Sequence, residues 1–242
     1  EENLALKRIQ VDTSKGKSNY QYGGEPYQEI EVLVPEMLCF HRPEVVGFLK
    51  EQIKDILSVP GIKGVAFDWF GYRNYRCCRC KYSMSLFEKL RNKQLDLPYE
   101  KALDKFSLDS LVDFNNNLAD YVRLVSPKAK VITHIYPVFL PEPLYGNRLN
   151  VDVCGQTAAW YFEPFWTYEK IRNYSKIIFG QEKKYYSHCE GSAFIGIFNR
   201  PDEYPVKGPK RIAQELQAIL DGGGDRVQVC NMNDVINNDG TR

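Results

Sequence analysis

Asp68 is the residue whose surroundings most suggest chemistry. It ends the apolar run Gly64-Val65-Ala66-Phe67 and opens a stretch holding Trp69, Phe70, Tyr72, Arg73 and Tyr75, which runs on into Cys77, Cys78 and Cys80. A carboxylate handed by a buried strand to an aromatic loop can serve as nucleophile, base or charge partner. The same residue can instead cap the following turn. Other carboxylates stand in later loops. Glu163 follows Trp160, Tyr161 and Phe162, where apolar neighbours would push its pKa up, as a proton donor requires. Asp202, Glu203 and Asp234 are its rivals, and Glu190 joins them if its strand begins early. Each of these also reads as a solvated surface charge.

The cysteines suggest a second chemistry. Cys77 and Cys80 are separated by two residues, the spacing that lets a loop aim two sulfurs at one zinc ion, with Cys39 or His41 as further donors. No second pair of this spacing exists, so a set of reduced thiols in a packed loop is the competing reading. Three histidines occur and no two are spaced as ligands on one element, which speaks against a catalytic zinc. No other cofactor is expected. His134 and Tyr136 alternate along one strand and therefore point to the same side, either to bind ligand hydroxyls or as satisfied core groups. Trp69, Trp160 and Trp166 offer flat apolar faces for stacking, or else fill the rim of the fold. Arg73, Asn199 and Asn231 complete the candidate binding residues, and Arg73 is placed to orient Asp68.

These residues need strands to carry them, and the sequence supplies five. Gly61 and Gly64 before the run and Gly71 after it bound Gly64–Phe67 too tightly for a helix. Lys130–Tyr136 is rich in β-branched residues and closed by Pro137. Val151–Gly155, Ala193–Phe198 and Arg226–Cys230 follow. Helices are expected from Pro43, which suits a first helical turn, to about Ser58, and then over Met84–Leu90, Leu108–Val125, Tyr168–Glu182 and Pro209–Leu220. Residues 1–38 read as a loop-rich lead-in with short β-like runs at Arg8–Val11 and Ile30–Val34, between which lie two turn signals. Strands mostly separated by helices imply parallel βαβ units. No glycine-rich phosphate loop follows any strand, which disfavours a nucleotide-binding open sheet. A (β/α)8 TIM-type barrel, with residues 1–242 as a single domain, is the expected architecture. Five strands fall short of eight. Either residues 1–38 supply irregular early strands, or the chain lacks the first part of a longer barrel; the second is preferred.

Composition narrows the partners. The 242 residues carry 32 Lys plus Arg against 31 Asp plus Glu, a net charge of +1 that leaves no electrostatic footprint for nucleic acid or an anionic membrane. No run of about 18 apolar residues exists to span a bilayer, and the first ten residues lack the pattern of a signal peptide. Seven cysteines, four of them scattered singly, match reduced thiols better than a secreted disulfide framework. A cytoplasmic location is therefore expected, and the oligomeric state stays open.

Three stretches resemble a family of hypothetical glycosyl hydrolases with TIM-barrel catalytic domains, similar in layout to β-galactosidase-type and α-amylase-type barrels. Val11–Lys17 looks like the loop after that family's third strand. Cys39 to Pro43 with Glu44-Val45 resembles its helix start, and Gly64–Asp68 with Tyr72, Arg73 and the cysteines resembles its fourth-strand aspartate followed by a cysteine cluster. The resemblance implies that Asp68 occupies the place that holds the nucleophile in amylase-type and α-galactosidase-type barrels. The Asn-Glu pair of β-galactosidase-type barrels is absent, because Phe67-Asp68-Trp69 stands there, so no acid/base glutamate is expected at that point.

Glycoside hydrolysis generally needs two carboxyl groups, one ionised and one protonated, on opposite sides of the scissile bond. The expectation is a retaining hydrolase of a carbohydrate substrate with Asp68 as nucleophile and Glu163 as acid/base. The alternative is a barrel that binds carbohydrate without cleaving it, its second carboxylate missing. A metal-dependent hydrolase with paired histidines on its first strand stands third, since that pair is not in the sequence.

Overall fold

The computed structural model describes residues 5–12, 27–34, 38–68, 80–92, 97–135, 148–159, 165–180, 188–197 and 207–231. Two strands come first, β1 (Ala5–Asp12) and β2 (Tyr27–Val34), paired antiparallel from Ala5 opposite Val34 to Asp12 opposite Tyr27. They form a sheet of their own. Residues 1–38 thus contain β structure where two short runs were expected, but these strands pair with each other and do not supply early parallel strands.

The second sheet organises the chain. Its strands are β3 (Gly64–Asp68), β4 (Lys130–Ile135), β5 (Val153–Ala159), β6 (Glu190–Gly196) and β7 (Val227–Cys230), all parallel and adjacent in chain order. The result is an α/β fold with five parallel strands curled into a half-barrel. Helices α1 (Pro43–Ser58), α2 (Lys81–Arg91), α3 (Tyr99–Val125), α4 (Tyr168–Phe179) and α5 (Pro209–Asp221) accompany it. Pro43 opens α1 with Glu44 in its first turn, as its sequence suggests.

Alternation along each strand sorts side chains between a helix-facing side and an inner side. Val65, Phe67, Val131, Ile135 and Cys154 are buried with Ile53 of α1 and Leu111, Leu118 and Val122 of α3. Further along, Ala158, Ala193, Ile195 and Ile197 pack on Ile171 and Ile178 of α4 and Ala218 and Ile219 of α5. Small residues on β5 let the helices approach closely, as a sheet buried on that side requires. The other side of β3 is open, with Ala66 and Asp68 exposed.

Several boundaries differ from the sequence expectation. Helix α3 begins at Tyr99, not Leu108, because Ala102, Leu103 and Phe106 bury a first face against Phe87 of α2. Strand β6 starts at Glu190, not Ala193: Glu190, Gly191 and Ser192 pair with Val153, Cys154 and Gly155 despite their polar or flexible character. Strand β5 runs on to Ala159, which places Gln156 and Thr157 within the sheet. Helix α4 stops at Phe179 with Gly180 as its cap, ahead of Glu182. Among the described residues, no helix is long and apolar enough to cross a membrane.

The amino ends of β4 and β5 are pinned by one side chain. The Asp152 carboxylate accepts from Lys130 Nζ at 2.7 Å, from the Val131 backbone N–H at 2.9 Å and from Arg123 at 3.2 Å. Burial alone pushes its pKa up, but these hydrogen bonds and the charges of Lys130 and Arg123 outweigh that and hold it below the usual carboxylate value.

Candidate active site at the carboxyl ends of the parallel strands

Asp68 is the last residue of β3, and the parallel register sets it beside His134 of β4. Register neighbours in parallel strands project to the same face, so both side chains lie on the inner side. His134 Nδ1 is 2.7 Å from Asp68 Oδ1, and His134 Nε2 is 2.8 Å from Thr157 Oγ1 of β5. A carboxylate only accepts, so Nδ1 carries the proton that bonds Asp68. In the neutral imidazole Nε2 then accepts the Thr157 hydroxyl. Three adjacent strands each contribute one member of this chain.

Burial differs sharply along it. The Asp68 side chain is 64% exposed and that of His134 only 6%, while Thr157 is fully buried. Phe194 of β6 lies flat on the imidazole, ring centroids 3.7 Å apart and planes inclined by 18°. With both nitrogens bonded and one face covered, the ring is held in one orientation. It presents a fixed N–H to one oxygen of an otherwise solvent-facing carboxylate. Among the described residues Oδ2 makes no hydrogen bond of its own.

Glycine makes room for this arrangement. Gly155 of β5 pairs with His134 on one side and Ser192 on the other, and a Cβ there would press on Gln228 Oε1, reaching across from β7. The absent side chain lets Gln228 cross the inner side at the level of His134. At the carboxyl end of β6, Lys207 Nζ donates to the Gly196 carbonyl at 3.0 Å and to Glu215 Oε2 at 2.9 Å, while Arg211 Nε meets Glu215 Oε1 at 2.7 Å. Burial pushes the Lys207 ammonium below its ordinary pKa, against the pull of Glu215. These contacts brace the strand end next to the site.

Of the residues expected to do chemistry, the structure joins Asp68 and His134. Asn231 directly follows β7, at the carboxyl end as expected. Trp69, Arg73, Cys77, Tyr136, Trp160, Glu163, Asn199, Asp202, Glu203 and Asp234 lie outside the described residues. Two expectations are corrected. Glu190 opens β6 at the amino end, far along the strand from the site, and pairs with Arg226 at 2.5 Å; it cannot be the second carboxylate. Trp166 is 4% exposed and packs edge-on against Tyr174 in the helix-facing core, which its size and apolar surface favour, so it is no stacking platform. Cys39 and Cys80 are brought within 3.8 Å of each other, sulfur to sulfur.

Thr157 and Phe194 were not singled out in the sequence. Ending β5 at Gly155 placed Thr157 in a loop. Extending the alternation of Gly155 by one step would have set it on the inner face beside His134.

No protein-family model matches the chain, and no curated protein matches it in sequence. Among solved structures it is similar to the glycoside hydrolase domain of PgaB (BpsB) from Bordetella bronchiseptica, with a TM-score of 0.61 and 13% identity over 91% of this chain. It is also similar to a β-galactosidase from the Antarctic haloarchaeon Halorubrum lacusprofundi, with a TM-score of 0.52 and 14% identity over 93% of this chain. Bee venom hyaluronidase, solved with a hyaluronic acid tetramer, aligns at a TM-score of 0.44 and 14% identity over 83% of this chain and 71% of its own, too distant to bear on the fold. The chain spans 66% of the PgaB domain and 39% of the β-galactosidase. The five-stranded half-barrel is thus a fold shared with glycoside hydrolases.

Proposed function

We propose that this chain is a glycoside hydrolase in which Asp68 acts as the nucleophile. The observation that carries the reading is the exposed Asp68 carboxylate at the carboxyl end of β3, with one oxygen bound to His134. In parallel α/β folds the carboxyl ends of the strands are where catalytic groups gather. The fold shared with the PgaB domain supports the reaction class, although fold alone does not assign a reaction.

In this mechanism Oδ2 of Asp68 attacks the anomeric carbon and displaces the leaving oxygen, giving a glycosyl ester on Asp68. A second carboxyl group protonates that oxygen as it leaves, then removes a proton from the water that hydrolyses the ester. Glu163 is the residue proposed for this role. Trp69 and Trp160 would stack the sugar and Arg73, Tyr136, Asn199 and Asn231 would bind its hydroxyls. Residues 1–242 are proposed as one unit of an eight-stranded barrel, with residues 1–38 as its lead-in.

The test is hydrolysis of a panel of nitrophenyl α- and β-glycosides by the wild type, Asp68→Asn and Glu163→Gln. Cleavage of one glycoside by the wild type, its loss in Asp68→Asn, and a fall of about 10²- to 10⁴-fold in Glu163→Gln are expected. Restored turnover of an Asp68→Gly variant by azide, with a glycosyl azide as product, would identify Asp68 as the nucleophile. A wild type that binds oligosaccharides yet cleaves nothing would replace this reading by a non-catalytic carbohydrate-binding barrel.

A further inference from the structure

Gln228 stands on the inner side of the half-barrel and has no part in the chain from Asp68 through His134 to Thr157. It pairs in register with Phe194 of β6, which pairs in turn with Thr157 of β5, so all three project inward. From there the Gln228 side chain runs back toward the amino ends, to Gly155. A Cβ on Gly155 would stand 2.4 Å from Gln228 Oε1, 3.0 Å from Cδ and 3.1 Å from Nε2. The whole amide therefore occupies the space that the side chain of any other residue at position 155 would fill. Gly155 is the register partner of His134, and His134 that of Asp68. The amide is thus level with Asp68 and two strands away from it, about 10 Å along the sheet.

Gln228 is half-buried, and among the described residues its amide makes no hydrogen bond. Half-buried amides normally pair with protein or water, and a site that presents one can exchange water for a ligand. We infer that Gln228 determines substrate specificity: its amide binds two neighbouring hydroxyls of the sugar ring whose anomeric carbon meets Asp68, Oε1 accepting from one and Nε2 donating to the other. The identity of that ring rests on the glycoside hydrolase reading; the amide contact itself needs only a bound sugar. The spacing suits one ring, with the anomeric carbon at Asp68 and the hydroxyls of its far side at Gln228. A carboxamide is neutral and offers donor and acceptor side by side, which matches adjacent hydroxyls. A carboxylate or sulfate on the ring would instead meet the amide oxygen and forgo the cation that such groups pair with best. The substrate class is therefore an uncharged sugar with two adjacent free hydroxyls. Gly155 serves the same end, since its missing side chain is what lets the amide reach this level.

The test pairs variants of the protein with variants of the sugar. Gln228→Met keeps the length of the side chain and removes its hydrogen bonds. On the nitrophenyl glycoside that wild type cleaves, it should lower kcat/KM about tenfold or more. Gly155→Ala, which pushes the amide aside, should act in the same direction, and the Gly155→Ala/Gln228→Met pair should lose less than the sum of the two. Monodeoxy glycosides separate a sugar contact from a general loss of structure. Wild type should lose about tenfold on the two that lack a contacted hydroxyl, while Gln228→Met should treat those and the parent within about threefold. If Gln228→Met fails to fold by circular dichroism, Gly155→Ala carries the same comparison. Binding of free glucose, galactose and mannose, followed by ligand-observed NMR, reads the contact without turnover. Sugar binding that fades in Gln228→Met when no glycoside is cleaved would uphold the Gln228 contact and remove the hydrolase. A folded Gln228→Met with unchanged kcat/KM and unchanged sugar binding would overturn the contact and leave the hydrolase standing. A nitrophenyl glucuronide preferred to every neutral glycoside, or a wild type that neither binds nor cleaves any of these sugars, would overturn it as well.

Discussion

His134 bridges Asp68 and Thr157, with Nδ1 2.7 Å from Asp68 Oδ1 and Nε2 2.8 Å from Thr157 Oγ1, so that a buried ring fixes an exposed carboxylate. Long, solvated carboxylates sample several rotamers; this one has an oxygen held by a donor that cannot turn. The bond fixes where Oδ2 points, and that is what an attacking oxygen needs.

His134→Phe should therefore act on turnover more than on binding. The phenyl ring can keep the stacking contact with Phe194 but donates nothing to Asp68 and leaves the fully buried Thr157 hydroxyl without its ring partner. On the proposed nitrophenyl substrate, kcat is expected to fall about 10- to 100-fold with KM within about threefold. His134→Asn, whose amide N–H can take the place of Nδ1–H, should recover part of the loss. Stability in urea should drop by about 1–3 kcal/mol for the Phe variant. Equal kcat in the two variants would mean that the ring only fills space.

How far the sequence foretold this site depends on which residue is asked about. Asp68 stood out because glycines bound its strand and an apolar run precedes it, both local signals. The inner orientation of His134 followed from alternation. Their pairing did not, because it depends on the register of β3 against β4 across 66 residues, and nothing local encodes a register. For Trp166 the sequence leaves two readings open, because an indole after a strand looks the same whether it turns toward a groove or toward α4; the packing against Tyr174 decides for burial. The fold class was more legible than either, since five apolar runs set between amphipathic segments leave few alternatives to a parallel sheet.

Gly155 should matter through Gln228. In Gly155→Ala the new methyl group meets Gln228 Oε1, the mobile end of a long side chain, so the cost should be about 1 kcal/mol. The Gly155→Ala/Gln228→Ala pair should be less than additive, because the second change removes the obstruction created by the first. Gly64→Ala, where a Cβ meets the Lys130 carbonyl oxygen of the neighbouring strand, has no such relief and should cost about 3 kcal/mol. Urea midpoints of these three variants and of Gln228→Ala alone check the order, and additivity at the Gly155–Gln228 pair would sink it.

Asp152 sets an acid limit on stability at the opposite end of the sheet. Its carboxyl pKa in the folded chain lies below the ordinary 3.8, because Lys130, the Val131 N–H and Arg123 together overcome the effect of burial. For a group whose folded pKa is depressed, the unfolded chain binds the proton first, so the stabilisation is complete above the unfolded pKa and drains away as pH falls through the folded one. Wild type should therefore lose stability from about pH 5 downward, through and below 3.8. Asp152→Asn keeps an oxygen for the Val131 N–H but gives up the charge that Lys130 and Arg123 face. It should be less stable than wild type at pH 7, and the gap should narrow steadily between pH 5 and pH 3. Urea unfolding of both proteins across that range measures the gap. Parallel curves would show that the charge on Asp152 contributes nothing, leaving its hydrogen bond to Val131 as the whole of its role.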